Sequence, residues 1–427
     1  MYRVWNFLTS YSLLLIFGAL VALLWANLDL IIPVEGDPHY YFDLYHHMVD
    51  FHLWENAPIG AIYDGVRILT PHYLINDLLM ALFFAIAGKE VWEAVALKSG
   101  SLRGKKAVTP LIATIGGMAG PIAVYLGVAY FLGSTTFDAV ANGWAVPTAT
   151  DIAFSYLIGR MVFGAGHPAV RFLLLLAIAD DALGLIILAV FYPSSELAPS
   201  WIFVSAGVAV LVYVLANWLP RRLDKGDQAR PYSTWMRQKA SFWPYLIAGC
   251  LSWYAFMRSG IHPALGLLFI VPTIPHADRA YGIFSAAEVH LKDLLNTIEH
   301  GLKHPVEIIL FFFGLFNAGV QFSAMGEATW LVLAGLLIGK PVGILIFGWI
   351  GARPLGFGLP EGMKTSDLFV LGCVAAIGFT VALFVASVAF PAGDIQDAAK
   401  MGALFSFAAA AISLIVGILF RVEKKSN

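Results

Sequence analysis

The stretch Leu173-Leu-Leu-Leu-Ala-Ile-Ala-Asp180-Asp181-Ala-Leu-Gly-Leu-Ile-Ile-Leu-Ala-Val-Phe191 places two adjacent carboxylates in the middle of 19 residues that are otherwise without charge. Without Asp180 and Asp181 it reads as an ordinary membrane-spanning helix. A charge at a helix centre costs roughly 2.5 to 3.5 kcal/mol on insertion scales. A chain that carries two of them side by side is expected to use the carboxylates. Helix neighbours point about 100° apart, so the two aspartates should meet different partners. One is placed to face a water-filled cavity, the other to pair with a cation from another helix.

Composition agrees with a membrane setting. The 427 residues are 59% hydrophobic and 13% charged, with a mean hydropathy of +0.77, outside the range of soluble domains. The net charge of −2 says nothing about partners, and no feature points to nucleic acid, a soluble partner or an organic cofactor. Arg3 and the apolar run that follows resemble a signal peptide, but Leu13 to Leu30 is long and no small-residue cleavage site follows it, so it is read as a permanent first helix. Cys250 and Cys373 fall in apolar segments and read as small core residues.

The expected architecture is all-α. Hydropathy predicts about twelve spans, at 11–32, 71–97, 107–132, 144–163, 168–192, 199–219, 241–258, 261–275, 304–320, 328–350, 367–390 and 395–420. With both termini cytoplasmic, the inside loops hold cations such as Lys98, Arg103, Arg160, Arg171, Arg221, Arg222, Arg279, Lys292, Arg353, Lys364 and Lys425. Only Arg67, Arg258 and Lys400 fall outside. That asymmetry fixes the orientation. The external segment 33–67 alternates as in Tyr41-Phe-Asp-Leu-Tyr45, which suggests a short β-hairpin whose edge pairs with a second copy in a dimer. His39, His46, His47 and His52 are candidate metal ligands there, with solvated loop histidines as the simpler reading.

Residues 107–192 and 328–420 each read as three consecutive helices and enter from opposite faces, as inverted repeats. The first helix of each carries small residues at packing spacing, Gly116-Gly-Met-Ala-Gly120 and Gly335-x3-Gly339-x3-Gly343. The second is interrupted, by Asn142-Gly-Trp-Ala-Val-Pro147-Thr-Ala-Thr150-Asp151 in one and Ala375-Ala-Ile-Gly378-Phe-Thr380 in the other. Matching interruptions in two inverted halves point to a transporter's midplane ion site.

The candidate residues follow. Asp151 is either an N-cap or compensation for the dipole ends of a broken helix. Burial disfavours an ionised carboxyl and a nearby cation favours it, so a carboxylate poised between the two can exchange a proton for a small cation. Na+ prefers oxygen, like other hard ions, and Asp181, Asp180, the Thr150 hydroxyl and freed carbonyls are its candidate ligands. Lys340, about twelve residues into its helix and beside Gly339 and Pro341, is either a snorkelling lysine or the counter-ion of an aspartate. Asp77 and the group Glu90, Glu93, Glu299, His300 and His304 form a second acidic set. It reads as a solvated interface or as a titrating cytoplasmic funnel, since His changes charge near neutral pH. Lys89 stays in or near the membrane.

Six motifs together resemble the NhaA family of bacterial Na+/H+ antiporters over nearly the whole chain. They are Ile75-Asn-Asp77-Leu-Leu-Met, Ala149-Thr150-Asp151-Ile-Ala-Phe154, Ala177-Ile-Ala-Asp180-Asp181-Ala-Leu-Gly184, Phe316-Asn317-Ala-Gly-Val320, Leu337-Ile-Gly-Lys340-Pro341 and Ile377-Gly-Phe-Thr380. The resemblance implies electrogenic exchange of two protons for one Na+ or Li+ in a bacterial inner membrane. It implies ion binding at Asp181, a salt bridge from Asp180 to Lys340, crossed broken helices balanced by Asp151, and two interrupted helices in an inverted repeat. It also implies a homodimer held by the external hairpin, and activation at alkaline pH. The sequence departs from the family in the funnel. Ala94 stands where the family has glutamate, Glu93 replaces a basic residue, and Lys303 marks a one-residue insertion before His304. The first external loop is also longer than usual. The alternative is a transporter of the same fold that couples Na+ or H+ to an organic substrate. An intramembrane aspartyl protease is excluded by the missing Gly-x-Gly-Asp motif, and a channel needs no carboxylate that binds H+ and Na+ in turn.

Overall fold

Apolar runs become helices here because, in lipid, a helix satisfies its own backbone donors and acceptors. A computed structural model describes residues 12–63, 65–97, 100–102, 104–225, 227, 229–276 and 293–425. Lys98, Arg103, Arg279 and Lys292, assigned above to the inside loops, lie outside the described residues. The elements used below are α1 (Leu13–Ala26), α2 (Tyr40–Val49), β1 (Trp54–Glu55), β2 (Ala61–Tyr63), β3 (Val66–Leu69), α3 (Met80–Ala96), α4 (Val108–Leu132), α5 (Ile152–Phe163), α6 (Pro168–Phe191), α7 (Pro199–Tyr213), α8 (Trp243–Ser259), α9 (Leu294–Asn317), α10 (Glu327–Ala334), α11 (Lys340–Ala352), α12 (Thr365–Ala375), α13 (Phe379–Ala389), α14 (Asp394–Phe405) and α15 (Ala408–Leu419).

Among the described residues, five helices are long and apolar enough to cross a membrane: Val108–Leu132, Pro168–Phe191, Pro199–Leu223, Glu327–Ala352 and Asp394–Leu419. A sixth span results if α12 and α13, bent by 55° at Ala376–Gly378, are taken together. Phe131, Phe203 and Ile418 are more than three-quarters exposed, as lipid-facing side chains are and those of a soluble protein rarely are.

Two units share the chain. One is drawn from Met1–His52, Leu102–Gly184 and Leu310–Asn427, the other from Leu53–Ser101 and Leu185–Ile309. In the first, Phe163, Phe172, Leu173 and Leu176 of the α5–α6 region pack with Ile344 of α11 and Leu368, Leu371 and Val374 of α12. In the second, Val212, Ala216, Tyr245, Ala248, Ile270 and Leu295 form one core and Tyr73, Ala81 and Trp253 another.

The glycine rows of α4 and α11 meet each other. A Cβ on Gly120 would collide with the Gly339 carbonyl oxygen, and one on Gly116 with that of Gly343. Backbone touches backbone, which is what the small-residue spacing is for. Gly120→Ala is therefore expected to push the helices apart and cost about 1–3 kcal/mol, read as a lower unfolding temperature in detergent. An unchanged melt would show that the two backbones are not in contact.

Several elements differ from the sequence expectation. Tyr41–Tyr45, whose alternation suggests a strand, lies in α2. Asp29 caps that helix, accepting from the Tyr41 and Phe42 amides at 3.0 and 3.1 Å, and the buried Tyr45 hydroxyl donates to Leu315 O at 2.7 Å. Strand pairing comes later: β2 and β1 flank β3, both antiparallel, with Ile62 opposite Arg67 and Trp54 opposite Leu69. The segment expected as a helix at 261–275 is two 3-10 stretches, Pro263–Phe269 and Val271–Thr273. Pro272, inside the expected helix, withholds a backbone donor there. The helix expected to begin at 304 begins at Leu294 and runs through Pro305.

Candidate functional site

The sequence around Asp151 cannot stay helical. Pro147 ends a 3-10 segment, Ala141–Thr148, and Ala149 is extended before α5 begins. The Ala375–Gly378 turn similarly parts α12 from α13. Each break leaves unpaired amides at one helix end and unpaired carbonyls at another, and side chains of the first break, together with Lys340, satisfy several of them. Asp151 Oδ1 accepts from the Phe154 amide at 3.2 Å, at the start of α5. Its Oδ2 accepts from the Thr380 amide at 3.4 Å and from the Thr380 hydroxyl, at the start of α13. One carboxylate thus serves the positive ends of two half-helices.

Donors serve the carbonyl ends. The Asp151 amide donates to Ile377 O at 2.7 Å, and the buried Ser155 hydroxyl to Val374 O at 3.1 Å. Lys340 Nζ, fully buried at the start of α11, donates to Thr148 O at the end of the 3-10 segment. It also pairs with Asp180 Oδ2 at 2.9 Å. An ammonium at a negative helix end and beside a carboxylate is a double compensation for burial. Thr150 Oγ1 lies 2.6 Å from Asp180 Oδ2 and 3.2 Å from Ala375 O, and its single proton goes to one of them at a time.

Three carboxylate oxygens stay open. Asp180 Oδ1 is buried with no hydrogen-bond partner among the described residues. Asp181, on the adjoining face of α6, is half-buried and makes no hydrogen bond among the described residues. Asp180 is saturated on one oxygen and Asp181 on neither, so the pair offers negative oxygen to which a proton or a small cation can bind. Asp151→Ala removes the cap of both half-helices and is expected to cost about 1–4 kcal/mol, with Asp151→Asn losing less because an acceptor oxygen remains. Melting curves of the two variants check the order.

The other candidates belong to the second unit. Lys89, nearly fully buried, gathers three of them: its Nζ lies 3.0 Å from Glu93 Oε2, 2.7 Å from Glu299 Oε2 and 3.4 Å from Glu90 Oε1. The i,i+4 spacing of Lys89 and Glu93, one helical turn apart, is the sequence signal for this pairing. His300 and His304, on the same helix as Glu299, are exposed. Asp77, on a π-helical turn at Leu74–Leu79, lies 3.6 Å from His262 Nε2, and its carbonyl accepts from Trp253 Nε1 at 2.7 Å. His262 carried no signal beyond its neighbour Pro263. Among the described residues no group of three His, Cys, Asp or Glu side chains is arranged to hold a metal, the external histidines included.

A buried lysine–aspartate pair and an unsatisfied aspartate between interrupted apolar helices define a polytopic membrane transport protein. Comparison with known proteins narrows the class. The family described as Na+/H+ antiporter 1 matches residues 3–420, and the chain belongs to that family. It is 73% identical over 430 residues to the Na(+)/H(+) antiporter NhaA of Jannaschia sp. (strain CCS1), covering 100% of each chain. It is 42% identical to the NhaA of Geobacter sulfurreducens, covering 98% of each, and 43% identical to that of Desulfitobacterium hafniense, covering 98% of this chain and 96% of the other. The protein is a transporter, not an enzyme.

Proposed function

We propose that this protein is a secondary active antiporter that exchanges Na+ for H+ across a bacterial inner membrane, with Asp181 and Asp180 as the shared ion and proton site. The observation that carries this reading is the contrast within the pair. Asp180 is held by Lys340 and Thr150, while Asp181 is left unsatisfied beside it. Oxygen ligands suit a hard cation, and the Thr150 hydroxyl with nearby carbonyls completes the set. Na+ and H+ compete for these oxygens, so binding one expels the other. Alternating access then moves the loaded site between faces.

The finer features rest on the same reading. Twelve spans place both termini in the cytoplasm. Residues 107–192 and 328–420 form inverted repeats whose broken helices cross at the site; the capping of a half-helix at each break by the single Asp151 carboxylate supports that crossing. Exchange is electrogenic at two protons per Na+ or Li+, so 100 mV of membrane potential supplies roughly 2.3 kcal/mol per net charge moved. The sheet at 54–69 pairs two copies into a homodimer. The carboxylates around Lys89 form the pH-responsive funnel.

The test is collapse of a pH gradient in proteoliposomes of the purified protein on addition of Na+, Li+ or K+, from mildly acid to alkaline pH. Proton movement driven by Na+ or Li+ is the expected result. A folded protein that moves no protons at any pH would turn the reading to an organic substrate carried by the same fold.

A further inference from the structure

The motif His-Pro-Ala occurs twice, at 167–169 and 262–264, and folds the same way each time. The histidine precedes a helical segment whose first residue is proline, a favoured start, and its Nδ1 accepts the amide N–H of the alanine, at 3.1 Å for His167 and 3.3 Å for His262. This is the N-cap hydrogen bond with imidazole in place of the usual hydroxyl or carboxylate. At 167 the capped helix is α6, which carries Asp180 and Asp181.

His167 is buried and stacks on Phe163 at 5.2 Å between ring centroids. An imidazole can accept at Nδ1 only while that nitrogen carries no proton. The neutral ring therefore carries its proton on Nε2, which lies 4.0 Å from Asp367 Oδ2. Asp367 is in the first turn of α12, where Oδ2 also accepts from the Lys364 amide at 2.7 Å. His167 thus stands between the starts of α6 and α12, and α12 is one half of the second broken helix.

The groups facing the ring are Asp367 and Lys364 from α12 and its cap, and Glu423 and Lys425 from the C-terminal segment. That segment is tied to the α5–α6 turn by Lys425 N–H to Phe163 O at 3.0 Å and Gly166 N–H to Lys425 O at 2.9 Å. Lys364 and Glu423 pair with each other at 2.8 Å, which leaves Asp367 the nearest counter-charge for a protonated ring.

We infer that His167 is a positioning residue whose protonation releases the start of α6 and so makes exchange at Asp180 and Asp181 pH-sensitive from the face on which α6 begins. Protonated, Nδ1 becomes a donor facing a donor, the positive end of α6 repels the ring, and Asp367 attracts it. Burial holds His167 below its ordinary value, against the pull of Asp367. The neutral cap is therefore favoured in the folded protein. Its contribution to stability is fully present above about pH 6.5, the ordinary histidine value, and is lost as pH falls below it.

The inference rests on the antiporter reading, and the experiment separates the two. Wild type, His167→Asn and His167→Ala are compared in the proteoliposome assay across pH, with melting curves of the same proteins in detergent. Asparagine caps a helix but does not titrate here. His167→Asn is expected to match wild type at alkaline pH and to keep several-fold more of that activity at mildly acid pH. Its melting temperature should also fall less on acidification. His167→Ala should resemble the acid form at every pH. Superimposable pH profiles and melts for wild type and His167→Asn would overturn the inference. Failure of wild type to exchange Na+ for protons at alkaline pH would overturn the antiporter reading instead, and the melting comparison still decides the cap.

Discussion

Asp181→Asn is expected to abolish Na+-driven proton movement while leaving the protein folded. Asp181 makes no hydrogen bond among the described residues, so asparagine breaks no contact, and replacing it removes a charge beside Asp180. Thermal stability should hold or rise. Exchange should not survive, because an amide neither takes up a proton near neutral pH nor offers a cation anionic oxygen. Loss of an outer-shell partner costs metal sites about 10- to 100-fold in affinity or activity, so loss of a ligand that also carries the proton should exceed about 100-fold. Asp181→Glu keeps charge and proton with altered reach, and should retain part of the activity. If Asp181→Asn exchanged Na+ for H+ at the wild-type rate, the proton and ion would have to be carried elsewhere.

The second large effect is on stability. Lys340 is fully buried and holds both Asp180 and the Thr148 carbonyl. Lys340→Met removes the ammonium and leaves a buried carboxylate and a helix end uncompensated, and breaking such a pair costs about 3–5 kcal/mol. A markedly lower melting temperature is expected, with poor recovery of folded protein. Adding Asp180→Leu removes the orphaned charge as well and should restore much of the stability, since a well-packed apolar pair replaces a buried ion pair at little cost. The double variant should still fail to exchange Na+ for protons. A Lys340→Met protein as stable as wild type would mean that the ammonium is not the partner of Asp180.

Most of this site was legible because charge in an apolar run is conspicuous. Asp180, Asp181, Asp151 and Lys340 each stand out against 59% hydrophobic composition, and Pro147 and Gly378 mark where the helices part. What escaped was carried by the backbone. Thr148 O and Val374 O are acceptors only because helices end there, and no residue type announces which carbonyl a distant lysine or serine will reach. Helix bounds failed for the same local reasons. Tyr41–Tyr45 alternates like a strand, but Asp29 caps it as a helix from twelve residues upstream, a contact that no short-period pattern contains. The 3-10 stretches after His262 are apolar enough for a helix, and only Pro272 argues otherwise. Lys89 reads from the sequence only as a cation in or near the membrane, whereas three carboxylates surround it. Two of them are neighbours in sequence, and the third comes from about 210 residues away, beyond the reach of spacing arguments.

The central claim is that Na+ and H+ compete for the Asp180–Asp181 oxygens. The most direct test is to titrate the purified protein with Na+ in weakly buffered detergent solution at alkaline pH and to count the protons released per ion bound, with Asp181→Asn alongside. Competition predicts proton release that saturates together with Na+ binding and disappears in the variant. Saturable Na+ binding to the wild-type protein without any proton release would contradict it.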